Sequence, residues 1–338
     1  MSTTTFFTPT GEVVVNKIGH GLMSMTATAT ITPDKQCFEA IKAGVDSLPP
    51  GVKMFLNAGE FYGPNASPVN LEMLSRFFEK YPDYAEKTFL SVKGGMQAGS
   101  LVADGSDENL ARSVNTIVEK LRGFKKVDLF QCARVDKKVP VEQSIATLAR
   151  FVKEGKIGSI GMSEVRAETL LRGHKVHPIT TVEIEVSPWE YSQEVRDVIN
   201  AAKENNIVVV AYSPIGHGFL SGEIRKLEDF AADDRRRMHP RFQPGNLEKN
   251  LVIVDQLTAI ATAKGITPAQ LSIAWVSSLG PHVLPLPGSA RTARQLENLA
   301  ANSVTFTPEE LDKVNEVVRN AEPAGTRYPE FLLKDLWA

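Results

Sequence analysis

Two cysteines, Cys37 and Cys132, stand in 338 residues, and no Cys-x-x-Cys pair occurs. That excludes a disulfide framework and the common thiolate metal sites, and it fits a reducing compartment. No Cys/His spacing marks a ligand set, so no metal is expected. Charge bias is also missing: 38 Lys and Arg against 40 Asp and Glu leave a net charge of −2. Nothing in that balance draws a nucleic acid or an anionic membrane. The one basic run, Arg235-Arg236-Arg237, follows Asp233-Asp234 and reads as a solvated loop. No apolar run approaches the ~20 residues of a membrane helix. Residues 1–9 lack a basic stretch followed by an apolar one, so no secretory signal is expected. The expected compartment is the cytoplasm, with nuclear entry left open. There is no internal repeat and no low-complexity segment. A Gly-x-Gly-x-x-Gly after the first apolar run is missing too, which weighs against an open doubly wound sheet.

What is present is an alternation. Short, nearly continuous apolar runs at 17–23, 52–57, 88–93, 127–133, 157–163, 181–186, 207–212 and 283–287 read as eight buried strands. Segments of helical period separate them at 34–45, 69–80, 107–121, 141–153, 167–173 and 194–205. Ser106 before Asp107-Glu108 caps a helix start, and Gly155 follows a helix end. Eight strands alternating with helices predict an α/β fold, a (β/α)8 TIM barrel spanning 1–338 as one domain. Two helices exceed the barrel count: one of 251–264 and 268–278, and the one at 308–320. Residues 6–15 predict a hairpin around Pro9-Thr10-Gly11-Glu12. The stretch 213–248 is too long for a plain connection and predicts a functional loop.

Two of the runs end unusually. Met54-Phe55-Leu56-Asn57-Ala58-Gly59 leads to Glu60-Phe61-Tyr62-Gly63, and Phe89-Leu90-Ser91-Val92 leads straight into Lys93. An ammonium at the end of a buried strand needs a partner. Beside a phenol it has a use: positive charge favours phenolate and lowers the tyrosine pKa, which sharpens a proton donor for a developing alkoxide. Carbonyl reduction is the chemistry this pair fits. A strand-end tyrosine and a snorkelling lysine with a purely structural role is the alternative.

In a barrel of this kind the strand ends carry the site. There the chain shows Asn57-Ala58-Gly59-Glu60-Phe61-Tyr62-Gly63, Gly155-Lys156-Ile157-Gly158-Ser159-Ile160-Gly161-Met162-Ser163-Glu164, Ala211-Tyr212-Ser213-Pro214-Ile215-Gly216, and Leu286-Pro287-Gly288-Ser289 followed by Arg294-Gln295-Leu296-Glu297-Asn298. In number and order these motifs resemble the aldo-keto reductase superfamily over nearly the whole chain. The resemblance implies Tyr62 as general acid and Lys93 as its activating partner. It implies Ser163 and Glu183 on a nicotinamide carboxamide, with Glu183 standing where Gln is usual, and Tyr212 as the ring stacked on the nicotinamide. Without the motif, Tyr212 would read as an ordinary core aromatic. Gly21 and Met23 are expected on the cofactor, and Ser213, Ile215, Gly216, Gly218 and Leu220 in the segment wrapping its pyrophosphate. Gly288, Ser289, Arg291, Arg294 and Asn298 are expected at its adenosine end. Arginines at a helix start suit a 2′-phosphate, so NADPH/NADP+ is the expected cofactor.

The sequence departs from the family pattern twice. Asn57 replaces the Asp that pairs with the lysine, which leaves Lys93 a hydrogen-bond acceptor but no negative charge. Ala133 replaces the usual His, removing one donor to the carbonyl oxygen, a loss on the order of 10²–10³ in rate where such a donor acts. A substrate carrying its own donor beside the aldehyde would compensate. Pyridoxal has a ring hydroxyl there, and the Asn/Tyr/Lys/Ala pattern with Ala133-Arg134-Val135-Asp136 resembles the fungal pyridoxal reductase branch. The expected activity is NADPH-dependent reduction of pyridoxal to pyridoxine. The alternatives are a general aldehyde reductase and a low-turnover NADPH-binding sensor. Met25, Phe61, Ala133, Trp189, Tyr328 and Trp337 are expected to line the substrate pocket. The expected partner is a small aldehyde, and oligomeric state is not legible.

Overall fold

The computed structural model describes residues 1–28, 30–333 and 335–338. Strands β1 (Thr3–Thr8) and β2 (Gly11–Asn16) form an antiparallel hairpin. It begins three residues before the expected start. The barrel follows: β3 (His20–Gly21), β4 (Met54–Gly59), β5 (Thr88–Gly94), β6 (Leu129–Cys132), β7 (Ile160–Ser163), β8 (Ile179–Glu185), β9 (Val208–Tyr212) and β10 (Val283–Leu286). Each strand pairs in parallel with the next, in the order β3 to β10. A parallel bridge between Gly21 and Gly288 brings β10 back beside β3, with Gly21 N donating to Pro287 O at 2.9 Å. A Cβ on Gly288 would lie 3.2 Å from the Gly21 carbonyl oxygen, so this seam needs glycine.

The helices are α1 (Met23–Thr26), α2 (Asp34–Asp46), α3 (Val69–Lys80), α4 (Asp107–Leu121), α5 (Val141–Lys153), α6 (Ala167–Val176), α7 (Gln193–Glu204), α8 (Asn246–Lys264), α9 (Pro268–Ser278), α10 (Thr292–Ala300), α11 (Pro308–Asn320) and α12 (Glu330–Leu333). The expected caps form: Ser106 Oγ accepts from Asn109 N at 3.3 Å, and Gly155 sits at φ +72° beyond α5. Helix α10 follows the last barrel strand. From sequence only its start is legible, because its buried face includes the polar Gln295 and Asn298 beside Leu299. Strand β3 is much shorter than the run at 17–23, because Met23 already begins a helical turn.

Side chains alternate across each strand. On β4, Met54, Leu56 and Ala58 pack in the layer shared with the helices, whereas Phe55 faces the pore. On β5, Leu90 and Val92 point outward and Phe89 inward. The lower pore is apolar: Phe55, Phe89, Leu129, Val208, Val210 and Leu284 are buried there with Phe6 of the hairpin. Phe6 sets its edge against Phe55 and Phe89, at centroid distances of 5.4 and 4.9 Å. Two residues further along the same inward rows stand Asn57, Ser91 and Gln131, and beyond them Gly59 and Lys93, with Tyr212 two residues past Val210. The hairpin thus closes one end, and the polar inward positions collect at the other. Among the described residues, no helix is long and apolar enough to cross a membrane, and no cluster of three His, Cys, Asp or Glu could hold a metal ion.

Candidate active site

Tyr62 lies just past β4 with its ring folded over Gly59. A Cβ there would come within 2.8 Å of the ring carbons. Thr26 Oγ1 donates to the Tyr62 carbonyl, and Asn70 Nδ2 donates to Thr26 Oγ1 at 2.9 Å. Asn70 Oδ1 also accepts from Gly59 N at 3.3 Å, so one buried amide of α3 fixes both ends of this turn. Phe61 meets Tyr62 edge-on at 5.2 Å.

Strand register sets Lys93 opposite Gly59. Its Nζ donates to Asn57 Oδ1 at 2.6 Å and lies 5.7 Å from the centre of the Tyr62 ring. The third contact corrects the sequence expectation. Lys93 does not lack a negative charge, because its ammonium is in direct ionic contact with Glu183 Oε1. Glu183 Oε2 accepts from Asn57 Nδ2 at 2.8 Å and from Gln131 Nε2 at 2.5 Å. Both carboxylate oxygens are therefore engaged, Oε1 by Lys93 and Oε2 by the two amides. Burial pulls the Lys93 pKa down, but Glu183 and Tyr62 outweigh it and hold the ammonium above its ordinary value. The Tyr62 phenol moves opposite to expectation as well. Burial pushes it up, and the lowering by Lys93 only partly offsets that. The pair is thus a neutral phenol beside a charged ammonium, which is a proton donor held ready.

Ala133 is buried beside this pair, its N donating to Gly94 O at 3.0 Å. The next residue has a place in the site that sequence reasoning missed. Arg134 Nη1 donates to Ala133 O at 2.6 Å, and its positive charge acts on the Tyr62 phenol. A charge two residues past an apolar barrel strand was the available signal.

Several of the expected cofactor residues carry unfilled hydrogen-bonding capacity. Ser163 Oγ is buried with no partner, and so are both amide atoms of Asn298. Buried polar atoms left unpaired cost ~1–3 kcal/mol each. A nicotinamide carboxamide at Ser163 and an adenine edge at Asn298 would satisfy them, so these residues fit a dinucleotide. Ser213 at φ +52°, Gly216 at +53° and Gly218 at +91° give the segment after β9 a tight course, with Ile215 and the buried Leu220 packed into the core. Ser289 is buried, and its Oγ accepts from Arg291 N at 3.0 Å. Arg291 and Arg294 are exposed, and Met23 is 54% exposed beside Gly21. Arg294 Nη2 meets Glu223 at 2.9 and 3.0 Å, joining α10 to the long loop.

The tail folds onto this rim. Arg327 is buried, with Nε donating to Glu185 Oε2 at 2.9 Å and Nη2 to Glu164 Oε1 at 3.1 Å. Tyr212 donates to Glu164 Oε1 at 2.7 Å and sits 3.3 Å from the Tyr328 hydroxyl. Burial would raise the Glu185 carboxyl, but Arg327, His217 and Arg241 hold it far below the usual range. Trp337 packs on the Arg327 guanidinium at 5.5 Å, and Ala338 exchanges backbone hydrogen bonds with Glu164 and Arg166. Tyr328 and Trp337 thus reach the mouth. Two other expected lining residues do not. Met25 has no exposed surface and belongs to the core between barrel and helices. Trp189 is buried under the long loop against Phe219 and Phe242, at 4.6 and 5.7 Å.

The geometry has counterparts among known proteins. The model of the aldo/keto reductase family matches residues 17–319. The chain belongs to this family. It is 36% identical over 323 residues to the probable pyridoxal reductase 2 of Schizosaccharomyces pombe, covering 94% of this chain and 96% of that one. It is 35% identical over 281 residues to the aldo-keto reductase yakc [NADP(+)] of the same organism, covering 81% of each. Among solved structures, the glycerol dehydrogenase AKR11B4 from Gluconobacter oxydans superposes with a TM-score of 0.81 at 23% identity, over 95% of this chain and 97% of that one. That likeness supports the barrel alone. In this aldo/keto reductase the Lys93–Glu183 contact stands out, because it crosses the pore.

Proposed function

We propose that this aldo/keto reductase reduces an aldehyde to a primary alcohol with NADPH, and that pyridoxal is the aldehyde it serves. The observation that carries the reading is the buried phenol of Tyr62 beside the ammonium of Lys93, 5.7 Å from its ring centre, at the polar end of the pore. A bound dihydronicotinamide would supply the hydride. Ser163, Asn298, Ser289 and the Ser213–Leu220 segment would hold it. Tyr62 then gives its proton to the carbonyl oxygen as the alkoxide develops, and Lys93 steadies the phenolate left behind. Reprotonation of Tyr62 from solvent resets the site.

Two features support pyridoxal over a plain aldehyde. Position 133 offers no imidazole, so a second donor must come from elsewhere. A hydroxyl ortho to the aldehyde brings one. The similar S. pombe protein bears the name of that activity. The test is the rate of NADPH oxidation across a small aldehyde panel. Pyridoxal is expected to give the highest kcat/KM. No turnover of any aldehyde by a protein that binds NADPH would favour the sensor reading instead.

Cofactor preference rests on Arg294. Its ion pair with Glu223 is exposed on both sides and contributes at most ~1 kcal/mol. A charge-assisted hydrogen bond to a 2′-phosphate contributes ~1.5–3 kcal/mol, so the phosphate displaces Glu223. Arg294→Ala is therefore expected to weaken NADPH about ten- to a hundredfold and leave NADH nearly unchanged. Fluorescence titration of both cofactors decides it. Equal loss for both would place Arg294 away from the 2′ position.

A further inference from the structure

We infer that Glu183 is the counter-charge of the Tyr62–Lys93 pair, a positioning residue that carries on β8 the carboxylate that position 57 lacks. The inference rests on the reductase reading for its consequence, but not for its test.

Three observations converge. Glu183 Oε1 touches the ammonium directly, and both side chains are more than nine-tenths buried. Glu183 Oε2 is held by Asn57 from β4 and by Gln131 from β6, so the carboxylate is fixed from two other strands. Gln131 turns its Nε2 to the carboxylate while its own Oε1 stays buried without a partner. An amide spends its donor this way when the acceptor is an anion. Asn57 accepts from Lys93 through Oδ1 and donates to Glu183 through Nδ2. It bridges ammonium and carboxylate where an Asp would have been the carboxylate.

The charged and titratable groups acting on the pair are few. Glu183 acts on both members, and Arg134, beyond β6, acts on Tyr62. Tyr62 and Lys93 lie side by side and act on each other's ionisation, so they titrate as a unit. With Glu183 ionised, the form that keeps both protons is held by the opposing charge. Without it, the unit sheds its first proton at lower pH, whether that proton leaves the phenol or the ammonium. A working acid must keep its proton, so activity would persist below that pH and disappear as pH rises through it.

The experiment uses the cofactor-free protein, labelled with ¹³C at Tyr Cζ and Lys Cε. Signals are assigned by difference from Tyr62→Phe and Lys93→Met. In Glu183→Gln, the first proton loss of the pair is expected to move down by ~1–3 pH units, the scale of one close opposite charge. The double variant Asn57→Asp/Glu183→Gln puts the carboxylate back on β4 and is expected to restore the wild-type titration. The alkaline limb of kcat/KM is expected to move with it. If Glu183→Gln alone does not fold, recovery of both fold and titration in the double variant supports the assignment. An unmoved titration in Glu183→Gln overturns it. So does a double variant that recovers nothing the single one lost. A wild-type protein that reduces no aldehyde would sink the proposed function and leave this titration readable.

Discussion

Tyr62→Phe is expected to lower aldehyde reduction by ~10² or more while cofactor binding survives. The substitution removes one oxygen and little else. The phenyl ring can keep its seat over Gly59 and its edge contact with Phe61. The backbone anchor through Thr26 does not involve the hydroxyl. What disappears is the proton donor that Lys93 holds in place. With Ala133 behind it, no imidazole stands in. Measuring kcat/KM beside cofactor affinity separates the proposed role from simple misfolding. A variant that reduces pyridoxal at near the wild-type rate would remove Tyr62 from the mechanism. The pH dependence adds a sign. Burial raises the Tyr62 pKa, so the wild-type rate should hold through neutrality and fall only on the alkaline side.

The second large effect lies in the substrate. Pyridoxal is expected to react faster than its analogue lacking the ring hydroxyl by ~1.5–4 kcal/mol in activation free energy, the scale of one oxyanion donor. Ala133 is buried directly after β6, so neither its methyl group nor its hydrogen-bonded N reaches a carbonyl oxygen as a donor. Arg134 adds a fixed positive charge on this side of Tyr62. Ala133→His should narrow the gap, by aiding plain aldehydes or by crowding pyridoxal. Comparable kcat/KM for pyridoxal and its deoxy analogue would refute substrate-assisted activation and leave NADPH-dependent reduction standing.

Much of the fold was legible because it is local. Apolar runs of five to seven residues between helical segments mark strands covered on both faces, and each barrel strand overlaps one of those runs. Tyr62 and Lys93 were legible for the same reason: each is a polar group at the end of such a run. The partner of Lys93 was not. Asn57 and Glu183 are 126 residues apart and meet only because β4 and β8 face each other across a closed pore. A hint was present in Thr181-Val182-Glu183-Ile184-Glu185, where two carboxylates recur with period two inside an apolar strand. Period two says they share a face, not what they meet. The charge of Lys93 beside Tyr62 pointed to a lowered pKa, but burial is a tertiary property and it set the opposite direction. Arg327 was equally hidden, since its partners Glu164 and Glu185 lie far away in the chain.

The hairpin that closes the barrel has a practical side. Thr10 lies exposed in its turn, at the end of the molecule away from Tyr62. The chain's two native thiols are poor nucleophiles: burial pushes Cys37 up to about 11 and Cys132 up to about 12. Only the thiolate reacts readily with alkylating reagents. A single cysteine introduced at Thr10 would accordingly take a fluorophore or a surface linker alone, and the protein could be tethered by its closed end with the mouth free in solution.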